Sequence, residues 1–114
     1  MPMRRQPTVK TAVITFATDD DLSAEVDLAG YGLIGLIIPT IDSGNVTFEV
    51  SATTGGTFVT LKDAVSATLT ITAVTGNFAV SADELAALSA YRYVKVKTSV
   101  AQTANRTFTF VLKG

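Results

Sequence analysis

The clearest pattern in the chain is the strict alternation of apolar and polar residues in the segment Tyr91–Thr98. Val94 and Val96 fall on one side of this segment, and Tyr93, Lys95 and Lys97 fall on the other. Alternation of this kind is typical of a β-strand with one buried face. The segment therefore predicts a half-buried strand whose outward side carries one tyrosine and two lysines.

Similar short segments recur along the chain and predict eight or nine strands. They lie at residues 9–16, 22–28, 33–38, 46–51, 57–61, 68–72, 78–80, 91–98 and 107–112. Residues 33–38 are apolar on both sides, which indicates a central strand, and Gly35 inside it predicts a bulge or a close backbone approach. Pro39 is expected to end that strand, and residues 42–45 are expected to form a turn. The last two segments predict an antiparallel pair that closes a β-sandwich.

One helical signal interrupts the strands, at residues 82–88. Ser81 can cap its N-terminus, and Glu84 completes a capping box three residues later. Leu85 and Leu88 would face the core. The tally predicts an all-β fold: an antiparallel jelly-roll-like β-sandwich of eight or nine short strands with one short helix.

The domain is expected to span residues 8–114, because 114 residues suffice for one domain with its own core. Residues 1–7 contain two prolines and the adjacent pair Arg4 and Arg5, and they predict a flexible N-terminal arm. The arm is either a disordered tail or a segment that orders against a neighbouring subunit, where the two arginines would meet acidic groups. No signal peptide is predicted, so synthesis in a cytoplasm is expected.

Composition narrows the possible chemistry. The chain has no cysteine and no histidine, which excludes disulfides, a thiolate metal site, a cysteine nucleophile and a histidine general base. Its formal net charge of −1 gives no basic excess for a nucleic-acid partner. Only 17% of the residues are charged, against about 25% in a typical domain. A surface so poor in charge indicates either partial burial against a partner or a threonine-rich surface in water.

No catalytic, metal or cofactor site is predicted. The aspartate run Asp19–Asp21 lacks the glycine and the ligand spacing of a calcium loop, which favours a solvated turn. Acidic residues within strands fall on polar faces, so no pair of inward carboxylates is available for glycoside hydrolysis. We expect a protein that is not an enzyme and that requires no cofactor.

Arg92 shares the inward parity of Val94, so we expect it to pair with Asp83 or Glu84 of the preceding helix or to extend to the rim. Ligand or partner binding is the other interpretation of Arg92. The residues predicted to contact a partner are Arg4, Arg5, Tyr93, Lys95 and Lys97.

Several segments together resemble small virion structural proteins of tailed bacteriophages and prophages. They are residues 28–39, 46–51 with the Gly55–Gly56 turn, 91–96 and 101–107. The resemblance is in the order of strands and turns. It implies a virion component of the head decoration, or cement, type, which binds the phage major capsid protein and copies of itself. A homotrimer would fit this role. The strand at 91–96 also resembles the closing strand of discoidin-like jelly rolls.

Two further functions stay open at this point. The first is a carbohydrate-binding module on the virion for host adhesion, with Tyr31, Phe58, Tyr91 and Tyr93 as candidate stacking rings. The second is a structural component of the phage neck or tail.

Overall fold

The computed structural model describes residues 7–15, 20–28, 32–62, 67–81, 88 and 91–113, and it is built almost entirely of antiparallel strands. The strands are β1 (Pro7–Ile14), β2 (Val26–Asp27), β3 (Gly32–Ser51), β4 (Val59–Thr60), β5 (Ile71–Ser81), β6 (Tyr93–Thr98) and β7 (Arg106–Lys113). The predicted all-β antiparallel class is confirmed. In the described part of the chain the strands form one continuous sheet of seven strands rather than eight or nine short ones.

The sheet is organised around β3, a strand of 20 residues. Its first half pairs with β7 from Gly32 to Ile37, and its second half pairs with β6 from Val46 to Ser51. On the opposite side, β5 runs along most of β3 and β4 pairs near its end. The prediction that the last two strands pair with each other is wrong, because each of them pairs with a different half of β3.

The sheet curls until its two ends meet. Its strand order is β1-β7-β3-β6-β2, and β1 packs against β2 and β6. The ammonium group of Lys10 on β1 donates a hydrogen bond to the backbone carbonyl of Asp27 on β2. This nearly closed arrangement encloses a single core, so that each strand has an inner face and an outer face.

A kink in the middle of β3 replaces the predicted turn at residues 42–45. The register with β5 is irregular between Thr40 and Gly44 and again between Gly44 and Asn45, yet the strand continues. Pro39 does not end the strand either. It lacks an N–H group, and its two neighbours Ile38 and Thr40 keep the pairing with β5.

Side chains from the loop between β6 and β7 satisfy the backbone of the kink. The side-chain oxygen of Gln102 accepts a hydrogen bond from the N–H of Asp42 at 2.8 Å, and the hydroxyl of Ser99 accepts one from the N–H of Asn45 at 2.8 Å. These bonds replace ladder bonds that the irregular register removes. Gly44 is required for the close approach, since its φ is +150° and an added Cβ would lie 2.8 Å from the Ser99 hydroxyl.

Gln102 is the buried centre of this loop, with 1% of its surface exposed. Besides Asp42, its side-chain oxygen accepts from Nε of Arg106 at 3.2 Å, and its amide donates to the carbonyl of Val100 at 2.8 Å. The Arg106 guanidinium also contacts the Asp42 carboxylate at 3.0 Å. A buried amide with both ends satisfied holds the loop in one conformation.

The core lies inside the curled sheet and is filled by side chains from most strands. Its fully buried members include Ile14, Leu36, Ile38, Val46, Phe48, Leu88, Val94, Val96, Phe108, Phe110 and Leu112. Gly35 has the predicted close approach, because a Cβ there would lie 3.3 Å from the carbonyl oxygen of Val80. Apart from the buried Leu88, the predicted helix at 82–88 lies outside the described residues, as do Asp83 and Glu84.

Replacing a central core ring should strongly destabilise the fold. Phe48 is 0% exposed on β3, and the cavity left by Phe48→Ala should lower the free energy of unfolding by about 3–5 kcal/mol. Urea unfolding followed by circular dichroism measures the change. Val59→Ala is the control, since Val59 is 59% exposed and its truncation should have little effect. Equal losses in the two variants would contradict this description of the core.

The kink should also make stability depend on pH. The hydroxyl and the backbone N–H of Thr103, together with Arg106, hold the pKa of Asp42 below its ordinary value. A carboxylate whose pKa is lowered by folding stabilises the protein fully above the pKa of the unfolded chain, about 4. That contribution is lost as pH falls through the lower folded value. Asp42→Asn should therefore be less stable than the parent at neutral pH, and the difference should shrink in acid. A difference that is independent of pH would contradict the role of the charge.

Candidate functional site

The outer surface of the sheet divides into two faces of different chemistry. The first lies where β1, β7, the first half of β3 and the end of β5 run side by side. Lys113, at the end of β7, has the same outward parity and lies opposite Pro7 and Gly32 at one end of this region. Beyond it, the register places ten uncharged outward residues: Val9, Thr11, Val13, Gly35, Ile37, Ala79, Ser81, Thr107, Thr109 and Val111. We call this set the neutral face.

The neutral face is apolar along its middle rows. Val9 is 58% exposed and lies across from Val111, and Ile37 is 47% exposed and lies between Thr109 and Ala79. With strands about 4.8 Å apart, four strands and three rows of side chains make a patch on the order of a few hundred Å². Contiguous apolar patches of a few hundred Å² often mark contact sites, and Val9, Ile37 and Val111 give this face an apolar centre.

The second outer face lies on β2, β6 and the second half of β3, and it carries charged residues of both signs. Its members are Asp27, Thr47, Glu49, Ser51, Thr60, Tyr93, Lys95 and Lys97. We call this set the charged face. The two faces belong to different halves of β3, on either side of the kink.

Both lysines of the charged face have partners within the chain. The ammonium group of Lys97 lies 3.2 Å from a carboxylate oxygen of Asp21. The ammonium group of Lys95 lies 4.5 Å from the centre of the Phe58 ring, and Glu49 is opposite it on β3. The predicted role of these lysines in binding a partner stays a prediction, and each of them already has a contact within the chain.

Tyr93 and Arg92 differ from expectation. Tyr93 has the predicted outward parity, but it is only 8% exposed, because it lies between Ser51 and Asp27 of the neighbouring strands with the Arg92 guanidinium 5.1 Å from its ring. Arg92 precedes β6, so strand parity does not direct its side chain inward. It is exposed and binds Asp27 through two hydrogen bonds of 3.0 and 3.2 Å. Its predicted partners Asp83 and Glu84 lie outside the described residues, as do Arg4 and Arg5 of the arm.

Glu25 fastens the turn between β3 and β4 to the edge of the charged face. Its carboxylate accepts hydrogen bonds from the hydroxyl of Thr54 and, at 2.8 Å, from the N–H of Gly55. These two bonds hold the pKa of Glu25 below its ordinary value. The carboxylate therefore serves to position the glycine turn.

The proposed stacking rings do not form a common platform in the described part of the chain. Tyr93 is buried, Phe58 is covered by the Lys95 ammonium group, and Tyr31 lies outside the described residues. Tyr91 is 39% exposed and lines a shallow groove of about 330 Å³ with Thr57, Thr60 and Lys62.

A second groove, of about 460 Å³, lies along β5 and the residues before it. Its lining includes Thr70, Ile71, Thr72, Phe78 and Val80, so it is uncharged. Among the described residues no three carboxylates come together as a metal-binding group. Within the same residues no helix is long and apolar enough to cross a membrane.

The fold is similar to that in the crystal structure of the SPBc2 prophage-derived protein YomS. The match covers 100% of both chains with a TM-score of 0.56 and 11% sequence identity. At this identity the likeness shows a shared fold. No protein-family model matches the chain, and no curated protein sequence matches it.

The neutral face was missed in the sequence, although part of its signal was visible. The alternation of residues 107–112 places Thr107, Thr109 and Val111 outward, and β1 places Val9 and Thr11 outward. What joins them to Ile37 and Ala79 is the pairing of β7 and β5 with the same half of β3. That pairing depends on the kink.

Proposed function

We propose that this chain is a non-enzymatic bacteriophage virion structural protein, a head decoration protein that binds the outside of the capsid and stabilises it. The observation that carries the proposal is the neutral face, an uncharged and partly apolar patch spanning four strands. The fold shared with a prophage-derived protein along both whole chains supports a phage origin. The strand order resembling phage virion proteins supports the same assignment.

In this role the neutral face covers the boundary between neighbouring capsid subunits. Burial of Val9, Ile37 and Val111 would add apolar contact that opposes separation of the subunits. The absence of charge on this face avoids the desolvation penalty of burying an unpaired ion. The charged face, which includes the ion-paired Asp27 and Lys97, would remain in water.

The direct test uses phage capsids assembled without this protein. Purified protein added to such shells should co-sediment with them and raise the temperature at which they release their DNA. Copy number in complete virions distinguishes the sites: hundreds of copies indicate the head, and a dozen or fewer indicate the neck or tail. If the purified protein does not bind shells assembled without it, the proposal is overturned.

Substitutions on the neutral face should abolish shell binding without unfolding the protein. Val9→Lys and Ile37→Lys each place a charge where an apolar surface must be desolvated, so affinity for the shell should fall at least about tenfold. Val59→Lys is a matched control, because Val59 is 59% exposed, as Val9 is 58%, but lies outside the neutral face on β4. Circular dichroism confirms that the variants fold. A loss of binding that is equal in all three would argue against a role for this face.

The carbohydrate-binding alternative has less support from the geometry. Tyr91 is the one exposed ring among the candidates in the described residues, and it lacks a second ring beside it in its groove. A glycan array with Tyr91→Ala as the comparison tests it. Binding of a glycan that is lost in Tyr91→Ala would establish this function in place of shell binding through the neutral face.

A further inference from the structure

Among the residues that the structure describes, the outer edge of β5 lacks the protection that the other sheet edges have. Within the described residues, β5 pairs with β3 alone, so one side of its backbone has no strand beside it. Its 11 residues contain no charge and no proline. An exposed strand edge invites pairing with another chain, and proteins usually block it with short strands, lysine, proline or a covering segment.

The remaining edges carry such protection. The strands β2 and β4 are only two residues long. The strand β1 begins at Pro7, and its Lys10 reaches across to the carbonyl of Asp27. The lack of protection at β5 is therefore a local exception within the same sheet.

The longest regular stretch of β5 is its last part. Val74, Gly76 and Asn77 have φ values of 49°, 74° and 67°, and they interrupt the strand opposite the kink of β3. Residues 78–81 follow in regular register with Gly35–Ile38. All four residues of this stretch line the second groove, and the Phe78 side chain beside it is 38% exposed.

We infer that two copies of this chain pair antiparallel through the β5 edges of residues 78–81, related by a twofold axis, with each Phe78 ring packed against the groove of the other copy. In an isologous contact both copies use the same patch, so this patch must contain both the group that projects and the groove that receives it. The exposed Phe78 ring beside its groove meets that requirement. The β5 edges of the two copies are compatible in charge, because neither carries a charged residue. A charged partner peptide would find no complementary residue along β5.

The inference concerns a surface other than the centre of the neutral face and does not depend on shell binding. Residues 78–81 contribute only Ala79 and Ser81 to the neutral face, at its margin. Pairing there would join the neutral faces of two copies side by side. Two linked faces would bind a repeating shell with far higher avidity than one.

Analytical ultracentrifugation of the purified full chain tests the pairing across the micromolar range. The parent protein should show a monomer–dimer equilibrium. Phe78→Lys and Ala79→Lys should raise the dissociation constant at least about tenfold, because a twofold axis brings the two added charges close together. Val59→Lys, an equally polar change on β4, should leave it unchanged. A parent protein that is monomeric throughout, or a dimer that both β5 variants retain, would overturn the inference.

A covalent test uses the absence of cysteine from the chain. Single variants Ala79→Cys and Ser81→Cys place one thiol each on the outer side of the β5 edge. A disulfide requires Cβ atoms about 4 Å apart, so at least one variant should oxidise to a linked dimer much faster than Val59→Cys. Equal rates in all three would count against the pairing. Crosslinking in virions from position 79 to a different protein would assign the edge to that protein and overturn the inference.

The two proposals fail in different ways. If Phe78→Lys is monomeric and still binds shells, both proposals stand. Loss of shell binding in Val9→Lys with an unchanged dimer also agrees with both. If the parent protein dimerises but does not bind shells, the decoration function is overturned and the β5 contact stands. If the parent protein is monomeric but binds shells, the β5 contact is overturned and the decoration function stands.

Discussion

The structure depends on the hydrogen bonds that the backbone of β3 makes at its kink. A strand of 20 residues can serve two halves of a curled sheet only if the N–H groups at its kink find partners outside the ladder. Gln102 and Ser99 provide those partners, and Arg106 and Thr103 fix Asp42 beside them. Residues 42–45 have the composition of an ordinary turn. Without these contacts, the two halves of β3 would be separate strands.

The kink determines the position of the last two strands. The loop between β6 and β7 crosses the bend, so the chain leaves β6 beside the second half of β3 and enters β7 beside the first half. A tight hairpin would have paired β6 with β7. Placing them on different halves separates the lysines of β6 from the threonines and valine of β7, and this separation gives the sheet one charged outer face and one neutral outer face.

Sequence periodicity predicted the features that depend only on residues close together in the chain. The alternation in β6 and β7 predicted their existence, their bounds to within two residues, and their buried valines and phenylalanines, and Gly35 indicated the close approach to β5. Periodicity failed where side chains distant in sequence decide the conformation. Asp42 and Gln102 are 60 residues apart, and no local pattern distinguishes their kink from a turn. The pairing of Arg92 with Asp27 was missed for a related reason: Arg92 lies just before β6, where the strand alternation no longer constrains the direction of its side chain.

The candidate site could be predicted only in part, because the register between paired strands determines which residues lie together on one face. Tyr93, Lys95 and Lys97 were identified from a single strand. Residues from other parts of the chain cover the tyrosine and contact the two lysines. The neutral face draws on four strands, and no one of them stands out by itself. The low charge of the whole chain was the usable signal, since 17% charged residues leave room for an uncharged patch on the surface.

The sizes of the two contact surfaces explain why the protein would need both. A stable interface commonly buries about 800 Å² on each partner, and the neutral face of one copy is smaller than that. A single copy would then bind weakly, whereas copies joined through β5 present a larger continuous surface. Such coupling suits a repeating target, because the second contact of a linked pair forms at high effective concentration. An uncharged edge and an uncharged face on the same half of β3 are therefore physically consistent features, and both follow from where β3 bends.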